Sequence, residues 1–163
     1  MANPTLPVRL LAGVAAGLAG TFVPQGLLAG SGRWAPETLP PIRRDPAEFM
    51  VEQAESALPE ARRPQVPPKG RAAAEKGLHL GYGATFGMLY GLAAGEGSSL
   101  IAGAVLGLAA WAVGYLGWLP ATGLMPPVTR QEPARVAGPI ATHVGYGIAT
   151  AATYQWLRRR LDT

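Results

Sequence analysis

Four stretches with almost no charge, each about 20 residues long, constrain this chain more than any other feature. They cover residues 8–28, 77–95, 100–119 and 136–157, and Arg9 is the only charged residue in them. A helix rises 1.5 Å per residue, so about 20 residues cross a hydrocarbon core about 30 Å thick. In lipid the backbone must satisfy its own hydrogen bonds, as a helix does. The sequence therefore predicts an all-α membrane protein with four transmembrane helices.

The composition is typical of a protein that contacts lipid, and it does not favour one that binds nucleic acid. Only 15% of the residues are charged, whereas soluble domains have roughly 25%, and the 22 glycines suit membrane helices. The net charge of +4 could indicate nucleic acid, but the basic residues flank the apolar stretches or lie in one mixed-charge loop. The absence of cysteine excludes disulfides, thiol catalysis and cysteine metal ligands.

Three motifs occur twice in the same order, which predicts an internal repeat. LLAGVAAGLAGTF from Leu10 resembles LIAGAVLGLAAWA from Leu100, a Pro-Pro loop follows each, and His-x-Gly-Tyr-Gly begins at His79 and at His143. We predict one four-helix domain, residues 1–163, made of repeats 8–95 and 100–160 that are related by a pseudo-two-fold axis along the membrane normal. Chance similarity of Ala- and Gly-rich segments is the alternative, and the first stretch could also be a cleaved signal peptide.

The connection inside the first repeat, residues 30–71, is long and predicted to lie outside the membrane. Within it, Asp45 as N-cap, Pro46 in the first turn and Glu48 at the capping-box position predict a short helix over residues 45–58. The PEARRPQVPPKGR segment that follows is typical of an extended linker. The two Pro-Pro loops are candidate surfaces for a partner or for lipid, and their residues are Pro40, Pro41, Arg43, Arg44, Pro126 and Pro127.

Glycines spaced four residues apart predict close helix packing. Lipid supplies no hydrophobic drive between helices, so small residues that let backbones touch are typical of helix interfaces in membranes. We expect these glycines to form contacts within the bundle or between protomers, with a pore lining as the alternative. They are Gly13, Gly17, Gly83, Gly87, Gly91, Gly95, Gly103 and Gly107.

Histidine and tyrosine repeat along one face of the second and fourth stretches. Polar groups within a membrane usually face the protein interior and hydrogen-bond across helices, so we interpret this set as a polar cluster that joins the repeats. Two facing histidines could instead bind a haem b iron, or relay protons. The cluster comprises His79, Tyr82, Tyr90, His143, Tyr146 and Tyr154.

The sequence contains no nucleotide-binding fingerprint, nucleophile elbow, HExxH motif or paired carboxylates within a stretch. We therefore predict no enzyme, no catalytic residue and no metal site, and a structural, accessory or stress-related membrane component that could self-associate or join a larger complex. The absence of a charge in the middle of any stretch disfavours an ion-coupled pump. The alternatives are a small channel or proton or solute facilitator, and a haem- or quinone-binding redox subunit.

The order of short motifs resembles that of the YagU-like inner-membrane proteins, a family without an established biochemical activity. The motifs are PPIRRDPAEF after the first stretch, a histidine near the start of the second, GLMPPV after the third, and THVGYGIATAATYQWLRRR at the last. The resemblance implies a multi-pass protein of the bacterial cytoplasmic membrane and supplies no catalytic residues. It also implies cytoplasmic chain ends, as do Arg9 and Arg158, whereas the many Lys and Arg residues of the loops favour the opposite orientation.

Overall fold

The computed structural model describes residues 5–60, 67–94 and 99–161, and these ranges contain helices and turns but no strand. The all-α prediction is confirmed. The helices are α1 (Leu6–Gly20), α2 (Phe22–Trp34), α3 (Pro46–Ser56), α4 (Pro68–Ala93), α5 (Leu100–Trp111), α6 (Leu119–Ala121) and α7 (Pro133–Leu161). A π-helical segment, Ala112–Trp118, joins α5 to α6.

The first apolar stretch forms two helices in series that are separated at Thr21. Thr21 donates its hydroxyl to the carbonyl of Leu18 at 2.6 Å, and α2 then continues to Trp34. Pro24 is compatible with α2 because it lies in the first turn, where its missing N–H costs no helical hydrogen bond. The helical segment therefore extends beyond the predicted end at residue 28.

The long helices form two hairpins that pack against each other. Helix α1 packs along α4, α5 packs along α7, and the hairpins meet mainly where α1 and α2 contact α7. The order across the bundle is α4–α1–α7–α5, and α4 and α5 touch over only a short length. Helices α4 and α7 also touch over a short length, so residues of α4 can bond to both helices of the other hairpin.

Arg9, the one charge in the first stretch, lies at the end of the α1–α4 contact. Its Nε donates to the carbonyl of Gly91 at 3.2 Å, and its Nη2 donates to the carbonyl of Leu92 at 2.5 Å. These carbonyls belong to the last turn of α4, where a helix has unpaired acceptors and a partial negative charge. The guanidinium of Arg9 in α1 therefore caps the C-terminal end of α4.

The short helix predicted in the first loop is present as α3. The Asp45 carboxylate accepts hydrogen bonds from the N–H groups of Ala47 and Glu48 at 2.8 and 3.1 Å, as an N-cap does. Arg44 pairs with Glu48 and with Glu52 along the same helix. These ion pairs hold the residues that follow the first Pro-Pro motif against α3.

The two Pro-Pro loops meet at one end of the bundle. The N–H of Arg43 donates to the carbonyl of Leu124 at 2.9 Å, which ties the first loop directly to the second. Ile42 and Phe49 pack against a buried cluster at the start of the second loop that contains Leu124 and Met125. Pro40, Pro41, Arg44 and Pro126 are half-buried in this end, whereas Arg43 and Pro127 are exposed.

Helix bounds and apolar stretches do not coincide. Helix α4 begins at Pro68 and α7 at Pro133, before the apolar stretches at residues 77 and 136, because charged residues continue a helix readily. The predicted linker around residues 59–71 is therefore partly helical, and its residues 61–66 lie outside the described ranges.

The prediction of four membrane spans is not confirmed. Within the described ranges, two helical segments are long and apolar enough to cross a membrane, Leu6–Trp34 and Leu100–Ala121. The other two predicted spans are rich in Gly, Thr, Tyr and His, which lowers their mean hydropathy. Buried helices of soluble proteins and signal sequences near an N-terminus share the same properties, so this criterion alone supports membrane insertion weakly.

Candidate functional site

Helices α1 and α4 cross through glycines, with their backbones in direct contact. A methyl group placed on Gly87 would lie 2.5 Å from the Cα of Gly17, and one on Gly17 would lie 2.8 Å from the Cα of Gly87. Gly13 and Gly91 approach each other in the same way one turn further along, and Gly83 contacts both Gly17 and Thr21. This crossing accepts no side chain larger than hydrogen.

Helices α5 and α7 cross through a second set of small residues. A methyl group on Gly103 would lie 2.6 Å from the Cβ of Ala151, and one on Gly107 would lie 3.0 Å from the Cα of Val144. Gly147 faces Gly103 and Gly107 in this crossing, although our sequence analysis did not include it. Gly95, which was predicted to extend the glycine stripe of α4, lies outside the described residues.

The two crossings differ in register, and this difference separates the two histidines. Gly107 faces the backbone of His143, whereas Gly17, in the corresponding place on α1, faces Gly83. Gly83 lies one helical turn beyond His79. His79 is consequently left outside the α1–α4 crossing, and its side chain is exposed.

His143 lies in a partly buried aromatic cluster beside a proline in α7. Its Nδ1 is 2.8 Å from the carbonyl oxygen of Pro139, which can only accept, so Nδ1 carries the proton and donates. The ring meets the edge of Tyr115 at 5.5 Å between centroids, and Tyr115 stacks on Trp111. Tyr115 belongs to the π-helical segment and was not among the predicted site residues.

The described residues do not bring the two histidines together. His143 contacts Tyr115 of the π-helical segment. The exposed side chain of His79 makes no hydrogen bond or ring contact with His143. A haem with two axial histidines would require both rings on one iron. Within the described ranges, no group of three or more His, Asp or Glu side chains is placed to hold a metal ion.

Tyr82 and Tyr146 join the helices in the middle of the bundle. The Tyr82 hydroxyl donates to the carbonyl of Ala110 at 2.8 Å, linking α4 to α5. The Tyr146 hydroxyl donates to the carbonyl of Gly83 at 2.7 Å, linking α7 to α4. Each bond connects helices of different hairpins.

Tyr90 and Tyr154 contact each other across the hairpins. Their rings meet edge to face with centroids 5.4 Å apart, and both side chains are buried. Tyr90 donates its hydroxyl to the carbonyl of Ser99 at 3.1 Å. The Tyr154 hydroxyl is buried and has no hydrogen-bond partner among the described residues. The two tyrosines, which hold the same place in the two predicted repeats, therefore share a contact but differ in their hydrogen bonding.

Tyr146 forms a hydrogen bond between helices, whereas the Tyr154 hydroxyl has no partner among the described residues. We therefore expect different effects on stability when each is changed to phenylalanine. Tyr146→Phe removes an interhelical hydrogen bond, so we expect it to lower the free energy of unfolding by about 1 kcal/mol. Tyr154→Phe removes a buried hydroxyl that has no partner in the described ranges, so we expect no loss or a small gain in stability. Reversible unfolding of the two variants in mixed detergent micelles measures both effects, and an equal loss in both would contradict the assignment.

The π-helical segment is the main feature of the site that sequence analysis missed. Its Gly117 has φ −98° and ψ −108°, outside the helical region, and Pro120 follows shortly after it. A π-helical turn contains one more residue than an α-helical turn, so it changes which side chains face a neighbouring helix. Such turns occur often near functional sites. Gly114, Gly117 and Pro120 together were the available signal, because glycine and proline weaken a regular helix.

Comparison with protein-family models, with curated proteins and with solved structures found no match to this chain. The resemblance to the YagU-like proteins, which depends on short motifs, stays a prediction.

Proposed function

We propose that this chain is an integral protein of the bacterial cytoplasmic membrane. It crosses the bilayer four times and serves as a non-enzymatic structural or accessory component. The observation that carries the proposal is the distribution of side-chain size between the inside and the outside of the bundle.

Large apolar side chains lie outside, and small residues lie inside. Ile101 is 77% exposed, Leu11 70% and Phe22 65%, whereas Ala16 and Ala151 are fully buried. A soluble monomer rarely exposes apolar patches of more than a few hundred Å², because water contact with them is unfavourable. In lipid the same distribution is favourable, since large side chains meet the acyl chains and small residues let helix backbones touch.

Tryptophans near the two ends of the bundle support the same placement. Trp34 is at the end of α2 and Trp156 is near the end of α7, and both are largely exposed. The guanidinium of Arg33 lies 5.4 Å from the Trp34 ring centroid, and that of Arg160 lies 5.6 Å from the Trp156 ring centroid. Tryptophan with a neighbouring cation is typical of the membrane–water interface.

An origin by duplication of one helix hairpin belongs to this proposal. In both hairpins the helices cross through glycines, and tyrosines at equivalent places, Tyr90 and Tyr154, contact each other between the hairpins. These contacts are those expected of two repeats that face each other in one bilayer.

The polar cluster supports a structural role better than transport or redox chemistry. The hydroxyls of Tyr82, Tyr90 and Tyr146 donate to backbone carbonyls, so these groups fix helices in place and do not form a continuous relay. The exposed position of His79 removes the facing partner that a haem between His79 and His143 would need.

Membrane fractionation of the full chain, followed by reconstitution, tests the proposal. We expect the protein to stay in the membrane pellet at alkaline pH and high salt, and to be released only by detergent. We also expect the purified protein to lack a Soret band, and liposomes that contain it to show no proton flux above protein-free liposomes. Recovery as a water-soluble monomer would overturn the membrane assignment, and a Soret band or flux lost in His143→Ala would overturn the structural role.

A further inference from the structure

A groove of about 810 Å³ lies between α3 and residues 70–85 of α4. Its walls are mainly apolar, and its size is in the range of pockets that hold small amphiphilic ligands. The side chains that matter for its chemistry are Met50, Val51, Leu58, Leu78 and Tyr82. Gly77 and Gly81 are also lining residues, and a methyl group added to either would meet no atom within 4 Å.

An ion pair stands at the polar end of this groove. Arg71 donates from Nε to Glu55 at 3.0 Å and also pairs with it through Nη2, which leaves Nη1 available to a further oxygen. The hydrogen bond to Glu55 and then the charge of that carboxylate raise the pKa of Arg71, so the guanidinium stays protonated. Glu48 and Glu75 add negative potential at the same guanidinium. This end of the groove therefore offers one cation beside several carboxylates.

We propose that the groove binds one phospholipid of the surrounding bilayer whose headgroup carries a phosphate and a primary ammonium, as in phosphatidylethanolamine. The inference rests on the proposed membrane location. An acyl chain lies along the apolar walls over Gly77 and Gly81, the phosphate accepts from Arg71, and the ammonium donates to the carboxylates. An anionic headgroup without an ammonium would meet the negative potential of Glu48, Glu55 and Glu75 without a cation of its own to offset it.

The depth of the groove agrees with this occupant. The part of α4 before residue 77 carries Lys69, Arg71, Glu75 and Lys76, and no charge follows in the described remainder of the helix. The groove extends from Gly70 to Thr85, so it crosses this boundary. A phospholipid has the same change from charged to apolar along its length, at the same level of the bilayer.

Native mass spectrometry of the full chain, released from nanodiscs with equal amounts of phosphatidylethanolamine, phosphatidylglycerol and phosphatidylcholine, tests the proposal. We expect one retained phosphatidylethanolamine per chain. Gly77→Leu with Gly81→Leu adds bulk at two lining positions where a Cβ meets no atom within 4 Å, and we expect it to lower this occupancy about tenfold. Gly26→Leu is the matched control, because a methyl group on Gly26 also meets no atom within 4 Å, and it should leave the occupancy unchanged.

A second pair of variants tests the headgroup. Glu55→Gln with Arg71→Gln should abolish the preference for phosphatidylethanolamine, whereas Glu132→Gln with Arg135→Gln, which changes an exposed ion pair elsewhere, should keep it. Equal lipid retention after the groove is filled, or equal binding of phosphatidylglycerol, would overturn the proposal. Loss of a dimer on filling the groove would also overturn it, because a second copy would then be the occupant. Each of these results leaves the membrane location itself intact if the variants still resist alkaline extraction.

Discussion

Gly87→Ala is expected to destabilise the bundle by about 3 kcal/mol or more, although alanine is the better helix former by about 1 kcal/mol. The added methyl would lie 2.5 Å from the Cα of Gly17 and 2.7 Å from its nitrogen. Both are backbone atoms, so no side chain can rotate away and α1 must move as a whole. Such a shift would also disturb the Gly13 and Gly83 contacts of the same crossing. Unfolding in mixed detergent micelles, followed by circular dichroism or tryptophan fluorescence, measures the loss.

Gly81→Ala is the control, because it lies in the same helix only six residues away. A methyl group on Gly81 meets no atom within 4 Å, so only the higher helix propensity of alanine acts there. We expect this variant to be as stable as the parent or more stable by up to about 1 kcal/mol. If the two substitutions had the same effect, the α1–α4 crossing would not be the contact described above.

Leu108→Lys is expected to reduce membrane integration by about 3 kcal/mol, which is roughly a hundredfold in the insertion equilibrium. Leu108 is 42% exposed and lies near the middle of Leu100–Ala121, where the proposed location puts it in the hydrocarbon core. In a soluble protein, lysine at an exposed position would change stability by no more than about 0.5 kcal/mol. The fraction of chains that resist alkaline extraction after synthesis with membrane vesicles measures the effect.

Leu100→Lys is the matched control for this experiment. Leu100 is 47% exposed and is the first residue of α5, so a lysine there can extend its ammonium to the interface. We expect it to integrate nearly as well as the parent chain. Equal and normal behaviour of both lysine variants, with the protein recovered in the aqueous fraction, would contradict a bilayer location for α5.

Local pattern was sufficient to predict the helices and much of their packing. The capped helix after Asp45 followed from three residues, and the spacing that places small residues on one face predicted that Gly13 and Gly17 lie at a helix contact. Tyr90 and Tyr154 were predicted to belong to one polar cluster between the repeats, and their rings are in contact. In each case, neighbours along the chain determine which side chains share a helix face.

The features that could not be predicted depend on the relative position of distant helices. The one-turn difference in register decides that His143 is partly buried and His79 exposed, although both begin the same motif. The hydrogen bond between Arg43 and Leu124 joins residues that are 81 positions apart, and the bond uses only backbone atoms. Side-chain identity at Arg43 and Leu124 therefore contains no signal for it.

The connection between the two loops has a consequence for how the chain is made. Ile42 and Phe49 leave the ribosome long before Leu124 and Met125, which cover them in the finished protein. Until Leu124 and Met125 have been made, the apolar side chains of the first loop lack these packing partners. The contact between the two loops can therefore form only after Met125 has been synthesised, and a chain that ended within α5 would leave Ile42 and Phe49 without these packing partners.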